Sequence, residues 1–136
     1  EHSRLELARK LAPYEQEPGE IEAALDALQA KGYISEERVA ASLVHRRAGK
    51  LGAARVKQEL QGKGLDAELV ARTVEALRAS EPRRAWEVWQ RKFGEVAETP
   101  QERARQMRFL ASRGFAPEVI RRVVQGACDE DFLGSE

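Results

Sequence analysis

The sequence has few of the residues that covalent scaffolds and membrane proteins need. One residue of 136 is cysteine, so no intrachain disulfide can form and we expect a reducing, cytoplasmic setting. The longest stretch without a charged side chain has seven residues, Val39 to His45, whereas a transmembrane helix needs about 20 mostly apolar residues. No signal-peptide pattern is visible. Because the chain starts at Glu1 rather than Met, we expect that its natural N-terminus is missing.

Residue types that carry catalysis are also scarce. His2 stands at the chain end, and His45 falls away from the apolar face of its predicted helix. Cys128 precedes an acidic tail, which disfavours a reactive thiolate. No Cys/His cluster has metal-ligand spacing, and no glycine-rich phosphate loop follows a strand. We therefore expect no enzyme activity, no cofactor, no metal and no small-molecule substrate.

Helix-forming residues are abundant. Hydrophobic residues make up 42% of the chain, charged residues 34% and aromatic residues 6%. The 21 Ala and 13 Leu outnumber the 15 β-branched residues, which favours helices over strands. No segment shows sustained alternation of apolar and polar residues, so no sheet is expected. The predicted fold class is all-α, with a mostly aliphatic core.

The helix boundaries follow from apolar spacing and from the residues at the breaks. Apolar residues recur every three or four positions. Ser35, Asp66 and Thr99 are predicted N-caps, and Ser80 is predicted to open a separate helix. The pattern predicts eight helices at about residues 3–12, 20–31, 36–48, 53–62, 67–79, 80–93, 100–113 and 116–127. We expect a loose tail from Asp129 onward.

Two segments of the chain match without gaps. Residues 60–70 (LQGKGLDAELV) align with residues 110–120 (LASRGFAPEVI), each with a helix end, a basic residue, a glycine and a new helix start. A looser copy without the glycine contains Leu7 and Ile21. Since one helix precedes each matched pair, the repeat is a three-helix module of roughly 45–50 residues. The predicted modules are 1–33, lacking its leading helix, 34–79 and 80–128, followed by an acidic flexible tail at 129–136, in an elongated, curved body.

The charges are unevenly distributed although the net charge is zero. Residues 1–39 carry nine acidic and five basic side chains, a net charge of −4. Residues 40–128 carry ten acidic and eighteen basic side chains, a net charge of +8. Residues 129–136 return the balance to zero with a net charge of −4. A basic body suits a polyanion or an acidic protein groove as partner; the alternative is a solvated helical surface.

Basic residues away from the apolar stripes are the candidate partner contacts. Arg84 and Arg91 lie opposite an aromatic stripe with Glu87 between them, so pairing with Glu87 is the alternative. The residues at the end of the third predicted helix also suit its dipole. The candidate contacts with a protein filament or DNA are Arg46, Arg47, Lys50, Arg84, Arg91, Arg105, Arg108, Arg121 and Arg122.

The aromatic residues of the sixth predicted helix allow two interpretations. Trp86, Trp89 and Phe93 share one face with Ala85 on a helical wheel. Such a group can form a platform on which nucleic-acid bases stack. Because the residues form one apolar stripe, we interpret them as core and predict that Trp89 is well buried.

Four short stretches, taken in their order and spacing, resemble one bacterial family. They are residues 1–4 (EHSR), 31–35 (KGYIS), 60–64 (LQGKG) and 113–115 (RGF). Together they resemble the RecX regulatory proteins, and the likeness extends over the chain except for its acidic tail. In that family a further N-terminal helix precedes the segment that matches residues 1–4.

The resemblance implies a function without chemistry. It implies a modulator, mainly an inhibitor, of the RecA recombinase that binds in the groove of the RecA–DNA filament. It implies reduced filament growth, ATPase and strand exchange, and hence damped recombination and SOS response, with single- or double-stranded DNA as a further possible partner. The alternative is an autonomous helical DNA-binding module. The family offers no catalytic motif to transfer, so the candidate contacts above rest on charge and helical phase.

Overall fold

The chain is all-helical in the computed structural model, which describes residues 1–134. A 3₁₀ turn at Ala12–Tyr14 follows the first helix. Within the described residues there is no strand, and no helix is long and apolar enough to span a membrane. The helices are α1 (Arg4–Leu11), α2 (Glu20–Ala30), α3 (Glu36–Arg47), α4 (Ala53–Gly62), α5 (Ala67–Lys92), α6 (Pro100–Ser112), α7 (Pro117–Val124) and α8 (Glu130–Leu133).

Local sequence signals explain most of these boundaries. The predicted caps at Ser35, Asp66 and Thr99 are confirmed, because each side chain accepts a backbone N–H from the first turn of its helix. Such bonds satisfy donors that the helix itself leaves unpaired. The match of residues 60–70 to 110–120 is also confirmed in its local geometry: α4 and α6 end in the same turn, with Gly64 at φ +71° and Gly114 at φ +87°.

The predicted break at Ser80 is wrong, because α5 runs without interruption through Pro82 for 26 residues. A proline inside a helix removes one hydrogen bond and is costly. Contacts with the rest of the fold offset that cost. Glu81 is 4% exposed, and its two carboxylate oxygens accept the backbone N–H groups of Ala53, at 2.7 Å, and Ala116, at 2.9 Å.

Two separate cores lie along α5, one for each half of the helix. Leu69, Val70, Val74 and Leu77 in the first half pack with α3 and α4, and this cluster includes the fully buried Val56 and Leu60. Ala85, Val88 and Trp89 in the second half pack with α6, α7 and α8. The second module is therefore α3, α4 and the first half of α5. The third module is the second half of α5 with α6 and α7.

Neighbouring modules meet in the same way twice. The start of α4 contacts the end of α6: the Gly52 N–H donates to the Arg113 carbonyl at 2.7 Å, and Arg55 Nη1 donates to the Ser112 carbonyl at 2.7 Å. The start of α1 contacts the end of α4, where Leu5 packs on Gly64. There Glu6 Oε2 lies 3.2 Å from Lys63 Nζ. The start of the middle helix of one module thus contacts the end of the middle helix of the next.

The segment after α7 forms a short helix packed on the third module, whereas the sequence predicts a loose tail. Asp129 caps α8 by accepting the N–H of Phe132 at 2.8 Å. Phe132 and Leu133 are 7% and 6% exposed and join the core of the third module. Apolar side chains, not the acidic ones, decide this placement. The predicted tail at residues 135–136 lies outside the described residues.

Candidate interaction surface at the junction of the second and third modules

A pair of phenylalanines on the third module is surrounded by cations. Phe93, at the end of α5, and Phe109, on α6, meet edge to face with ring centroids 5.5 Å apart. Lys92 Nζ lies 5.3 Å from the Phe109 centroid, and Arg113 Cζ lies 4.9 Å from it. Arg105 Cζ lies 5.9 Å from the Phe93 centroid. Contacts of this kind favour a cation over a ring face and hold the three side chains in place.

These cations have no acidic partner within residues 1–134. No ion pair forms between a carboxylate and Lys92, Arg105 or Arg113, nor with Arg108, one turn along α6 from Arg105. Three of the four are exposed, and Arg113 is half-buried. Like charges crowded together repel each other, and an anionic partner relieves that repulsion. Glu95, Glu98 and Glu102 line the same cavity as Lys92, Phe93 and Arg105, so carboxylates border the cations on this side.

The second module extends this surface. Arg91, exposed on α5, donates from Nη2 to the Gly49 carbonyl in the α3–α4 loop at 2.9 Å. The next residue of that loop, Lys50, is exposed, and its ammonium has no partner among the described residues. We name the junction surface as the set Lys50, Arg91, Lys92, Arg105, Arg108 and Arg113, with Phe93 and Phe109 beneath.

The two arginines at the end of α3 differ from each other. Arg46 is exposed, and its Nε lies 3.4 Å from the Ser42 carbonyl one turn earlier. Arg47 reaches α4 instead, where its Nε lies 3.3 Å from Glu59 Oε2. Arg47 therefore helps to join two helices, while Arg46 stays available to a partner near Lys50.

Arg84 lies inside the fold, not on the face opposite the core that the helical wheel predicts. Its side chain is 12% exposed. Its Nη1 donates to the carbonyls of Ala48, at 2.9 Å, and Leu51, at 2.6 Å, and its Nη2 donates to that of Leu77 at 2.8 Å. Burial lowers the pKa of the Arg84 guanidinium, and the nearby Glu81 carboxylate partly restores it. Arg84 thus ties α5 to the α3–α4 loop, and the junction surface omits it.

The arginines of α7 are engaged elsewhere in the third module. Arg121 Nη2 lies 2.6 Å from Glu118 Oε2, one turn earlier on the same helix. Arg122 Cζ lies 4.3 Å from the centroid of Phe132 in α8. Neither contact involves the phenylalanine pair of the junction surface. Arg105 and the two α7 arginines therefore have different contacts.

Sequence reasoning missed Lys92, Arg113 and the two phenylalanines as part of a surface. A signal for them was present, because Arg105, Phe109 and Arg113 follow one another at intervals of four and therefore share one face of a helix. The interpretation of the tryptophans as core is confirmed at Trp89, which is 4% exposed and donates from Nε1 to Gln106 Oε1 at 2.9 Å. Within residues 1–134, no three potential metal ligands come together.

Two family models match the chain on either side of this junction. A model described as RecX, second three-helix domain, matches residues 35–74, and one described as RecX, third three-helix domain, matches residues 80–124. The chain belongs to the RecX family. The two RecX matches cover the second and third modules, which carry the junction surface between them.

Relatives named Regulatory protein RecX extend the likeness to nearly the whole chain. The protein from Leptothrix cholodnii is 53% identical over 130 residues, covering 96% of this chain and 83% of that protein. The one from Herbaspirillum seropedicae is 49% identical over 132 residues, covering 96% and 86%. The one from Ralstonia nicotianae is 46% identical over 127 residues, covering 93% and 80%. These RecX relatives are named as regulators, not as enzymes.

Proposed function

We propose that this chain is a non-enzymatic modulator, mainly an inhibitor, of the RecA recombinase in the cytoplasm. It binds in the groove of the RecA–DNA filament and limits filament growth, ATPase and strand exchange. Membership of the RecX family supports this role, since the resemblance carries the same implication. The observation that carries the proposal is the junction surface, a set of cations from two modules without acidic partners among the described residues.

The mechanism requires contact and no chemistry. Glu81 binds backbone groups of both modules, and the Gly52 and Arg113 backbones are joined directly, so the cations of the two modules keep a fixed spacing. Because the two backbones are fixed relative to each other, binding need not order the modules, although it still orders the exposed side chains. Bound across neighbouring filament subunits, such an array hinders the addition of subunits and the subunit motions that accompany ATP turnover.

Autonomous DNA binding is the second candidate, and the same surface favours it. Lysines and arginines neutralise phosphates, and partly exposed phenylalanines can stack on bases. Affinity for free DNA would then fall steeply with salt, with a slope that reports the number of phosphates contacted. The two candidates therefore differ in whether inhibition of the filament and affinity for free DNA change together.

A double charge reversal separates the two candidates. Arg105→Glu with Arg108→Glu should raise the concentration needed for half-inhibition of the filament ATPase by about tenfold or more, because two attractive contacts become repulsive. The matched control is Arg9→Glu with Lys10→Glu, two exposed residues of α1 that change the net charge equally. For a filament modulator, affinity for free DNA does not fall in proportion. For an autonomous DNA binder, both fall together.

A broader variant tests the α7 arginines as well. In this variant Arg105, Arg108, Arg121 and Arg122 are all changed to Glu, and circular dichroism checks the fold. Unchanged inhibition by this folded variant would place the contact surface elsewhere and contradict the proposal. A further loss beyond the double variant would show that α7 also takes part.

A further inference from the structure

Residues 129–134 occupy a seat formed by α5 and α7. Phe132 and Leu133 insert into the core of the third module. Above the inserted ring, Arg122 Cζ lies 4.3 Å from the Phe132 centroid. At the other side of the segment, Arg83 Nη2 lies 3.5 Å from Glu130 Oε2 and donates to the Gly134 carbonyl at 3.1 Å. The seat therefore combines an apolar pocket with two arginines.

The segment in the seat has the complementary chemistry. Asp129, Glu130 and Asp131 precede Phe132 and Leu133, so acidic residues lead directly into two large apolar side chains. Glu130 lies near Arg83, Asp129 caps α8, and the ring of Phe132 lies against Arg122. The bound segment thus shows which ligand the seat recognises: an acidic peptide with an aromatic residue at its apolar end.

The interactions that keep residues 129–134 in the seat are weak. The helix of this segment, α8, has four residues, and so short a helix has no stability of its own. The Glu130 side chain is 83% exposed, and ion pairs that open to solvent contribute little. The remaining contacts come from two apolar side chains, Phe132 and Leu133. A segment held by so few contacts opens more readily than a long helix in the core does.

We propose that this seat is a binding site for an acidic, aromatic-containing segment of a partner protein, and that residues 129–134 occupy it in cis until such a segment displaces them. Displacement removes the Phe132 ring from Arg122, breaks the contacts of Arg83 with Glu130 and Gly134, and moves three carboxylates away, so it enlarges the basic surface of the third module. The tethered segment competes at an effective concentration of the order of millimolar. A displacing partner must therefore bind more tightly than residues 129–134 do.

The test uses a fluorescent peptide with the sequence of residues 129–136 (DEDFLGSE) as the probe. In the full chain carrying Phe132→Ala the seat is vacated, and we expect the peptide to bind at least about tenfold more tightly than to the wild-type chain. Phe109→Ala is the matched control, since it also removes a third-module phenylalanine in contact with an arginine. That control should bind the peptide no better than the wild type.

Peptide variants define the recognition. Replacing Phe by Ala in the peptide should abolish binding, and replacing its first three acids by amides should weaken binding several-fold, with less dependence on salt. The proposal is overturned if the folded Phe132→Ala chain binds the peptide no better than the wild type or the Phe109→Ala chain. It is also overturned if the Phe-to-Ala peptide binds equally well.

A second measurement decides the matter if Phe132→Ala does not fold. Cys128 is exposed and is the single cysteine of the chain, so a spin label there reports the mobility of the adjoining segment. Glu130→Arg opposes Arg83 without removing an apolar side chain, and we expect it to make the label more mobile. Millimolar peptide should raise the mobility further. A label that stays equally immobile in both experiments refutes displacement. Neither measurement involves a filament, so its outcome is independent of the proposed inhibition.

Discussion

Trp89 joins α5 to α6 through both its ring and its nitrogen. The ring is 4% exposed, and Nε1 donates to Gln106. Gln106 in turn donates from Nε2 to the Glu95 carbonyl at 3.1 Å, so the buried polar atoms are satisfied. Trp89→Ala removes a large core side chain and leaves the Gln106 oxygen without its donor.

We expect Trp89→Ala to lower the free energy of unfolding by about 3–5 kcal/mol. Urea unfolding followed by circular dichroism measures this loss. Trp86→Ala is the control, because Trp86 lies on the same helix but is only half-buried, and it should cost clearly less. A loss below about 1 kcal/mol for Trp89→Ala would contradict burial of the aromatic stripe.

Glu6 makes the contact between the first two modules sensitive to acid. Its carboxylate accepts the Ser3 N–H at 2.9 Å and lies 3.2 Å from Lys63 Nζ. The Ser3 bond, and after it Lys63, hold the pKa of Glu6 below its usual 4.5, against a smaller opposing effect of burial. Since the folded pKa lies below the unfolded one, this stabilisation is present above the unfolded pKa and is lost as the pH falls through the folded pKa.

The pH dependence of stability should report this contact. Between about pH 5 and pH 3, the unfolding free energy of the wild type should fall more steeply than that of Glu6→Gln. Chemical unfolding at a series of pH values measures both slopes. Glu17→Gln, which changes an exposed carboxylate in the loop before α2, should keep the wild-type slope. Equal slopes for wild type and Glu6→Gln would show that the Glu6 contact contributes nothing.

Single residues also show how far the sequence alone could predict the structure. The burial of Trp89 was predictable, because its neighbours at four-residue spacing are apolar and a single apolar stripe marks the side of the helix that packs on the core. The burial of Arg84 was not predictable, because a helical wheel assumes that the helix packs on one side only. The α3–α4 loop packs on the other side of α5 and brings the Ala48 and Leu51 carbonyls to the guanidinium. That approach depends on contacts between modules, which no local pattern encodes.

At the scale of helices, the start of α4 and the end of α6 approach too closely for a side chain at Gly52. A Cβ there would lie within van der Waals overlap of the Gly114 carbonyl group. We expect Gly52→Ala to lower the free energy of unfolding by about 1–3 kcal/mol, as overpacking does. Thermal or urea unfolding provides the measurement.

Gly62→Ala is the matched variant for this prediction. A Cβ at Gly62 meets no atom within 4 Å, and the residue is the last one of α4. The substitution should raise stability by about 0.5–1 kcal/mol through helix propensity and lower unfolded-state entropy. If both variants shifted stability in the same direction, the close contact between modules would not be the cause.

Helices bounded by local signals were predictable, and those decided by tertiary contacts were not. Capping side chains and the turns at Gly64 and Gly114 act within a few residues, so their helices followed from the sequence. Ser80-Glu81-Pro82 has the same appearance as a helix start. It lies inside α5 because Glu81 bonds to two distant backbone groups, which no local signal reveals. Likewise, α8 depends on a pocket that α5 and α7 form only after folding.

At the scale of the whole molecule, the junction surface should behave as one contact. Reversing Lys50 and Arg91 to Glu changes its edge near the second module, whereas Arg105→Glu with Arg108→Glu changes the α6 side. Arg91 also bonds to the Gly49 carbonyl, so unfolding is measured alongside. Each pair should weaken inhibition of the filament ATPase, and the four-fold variant should weaken it further.

If the two double variants differed in their inhibition of the filament ATPase, the bounds of the junction surface would have to be changed. If Lys50 and Arg91 reversal left inhibition at the level of the Arg9 and Lys10 control, the partner would not touch this edge of the junction surface. Candidate contacts on this scale were only partly predictable from sequence. Charge and helical phase give exposed cations such as Arg105 and Arg108, but the inclusion of Lys92 and Arg113 depends on how α5 and α6 cross.

The uninterrupted α5 also determines whether the second and third modules unfold together. Unfolding of the third module alone would interrupt α5 at its middle. It would also leave the Glu81 carboxylate bonded to Ala53 but without its second donor, Ala116. Partial states of that kind are penalised, so the second and third modules should lose their structure cooperatively. Both tryptophans report on the third module, while slow amide exchange in α4 reports on the second. The tryptophan signal and the amide exchange in α4 should therefore give the same free energy of opening, as expected for a single folding unit.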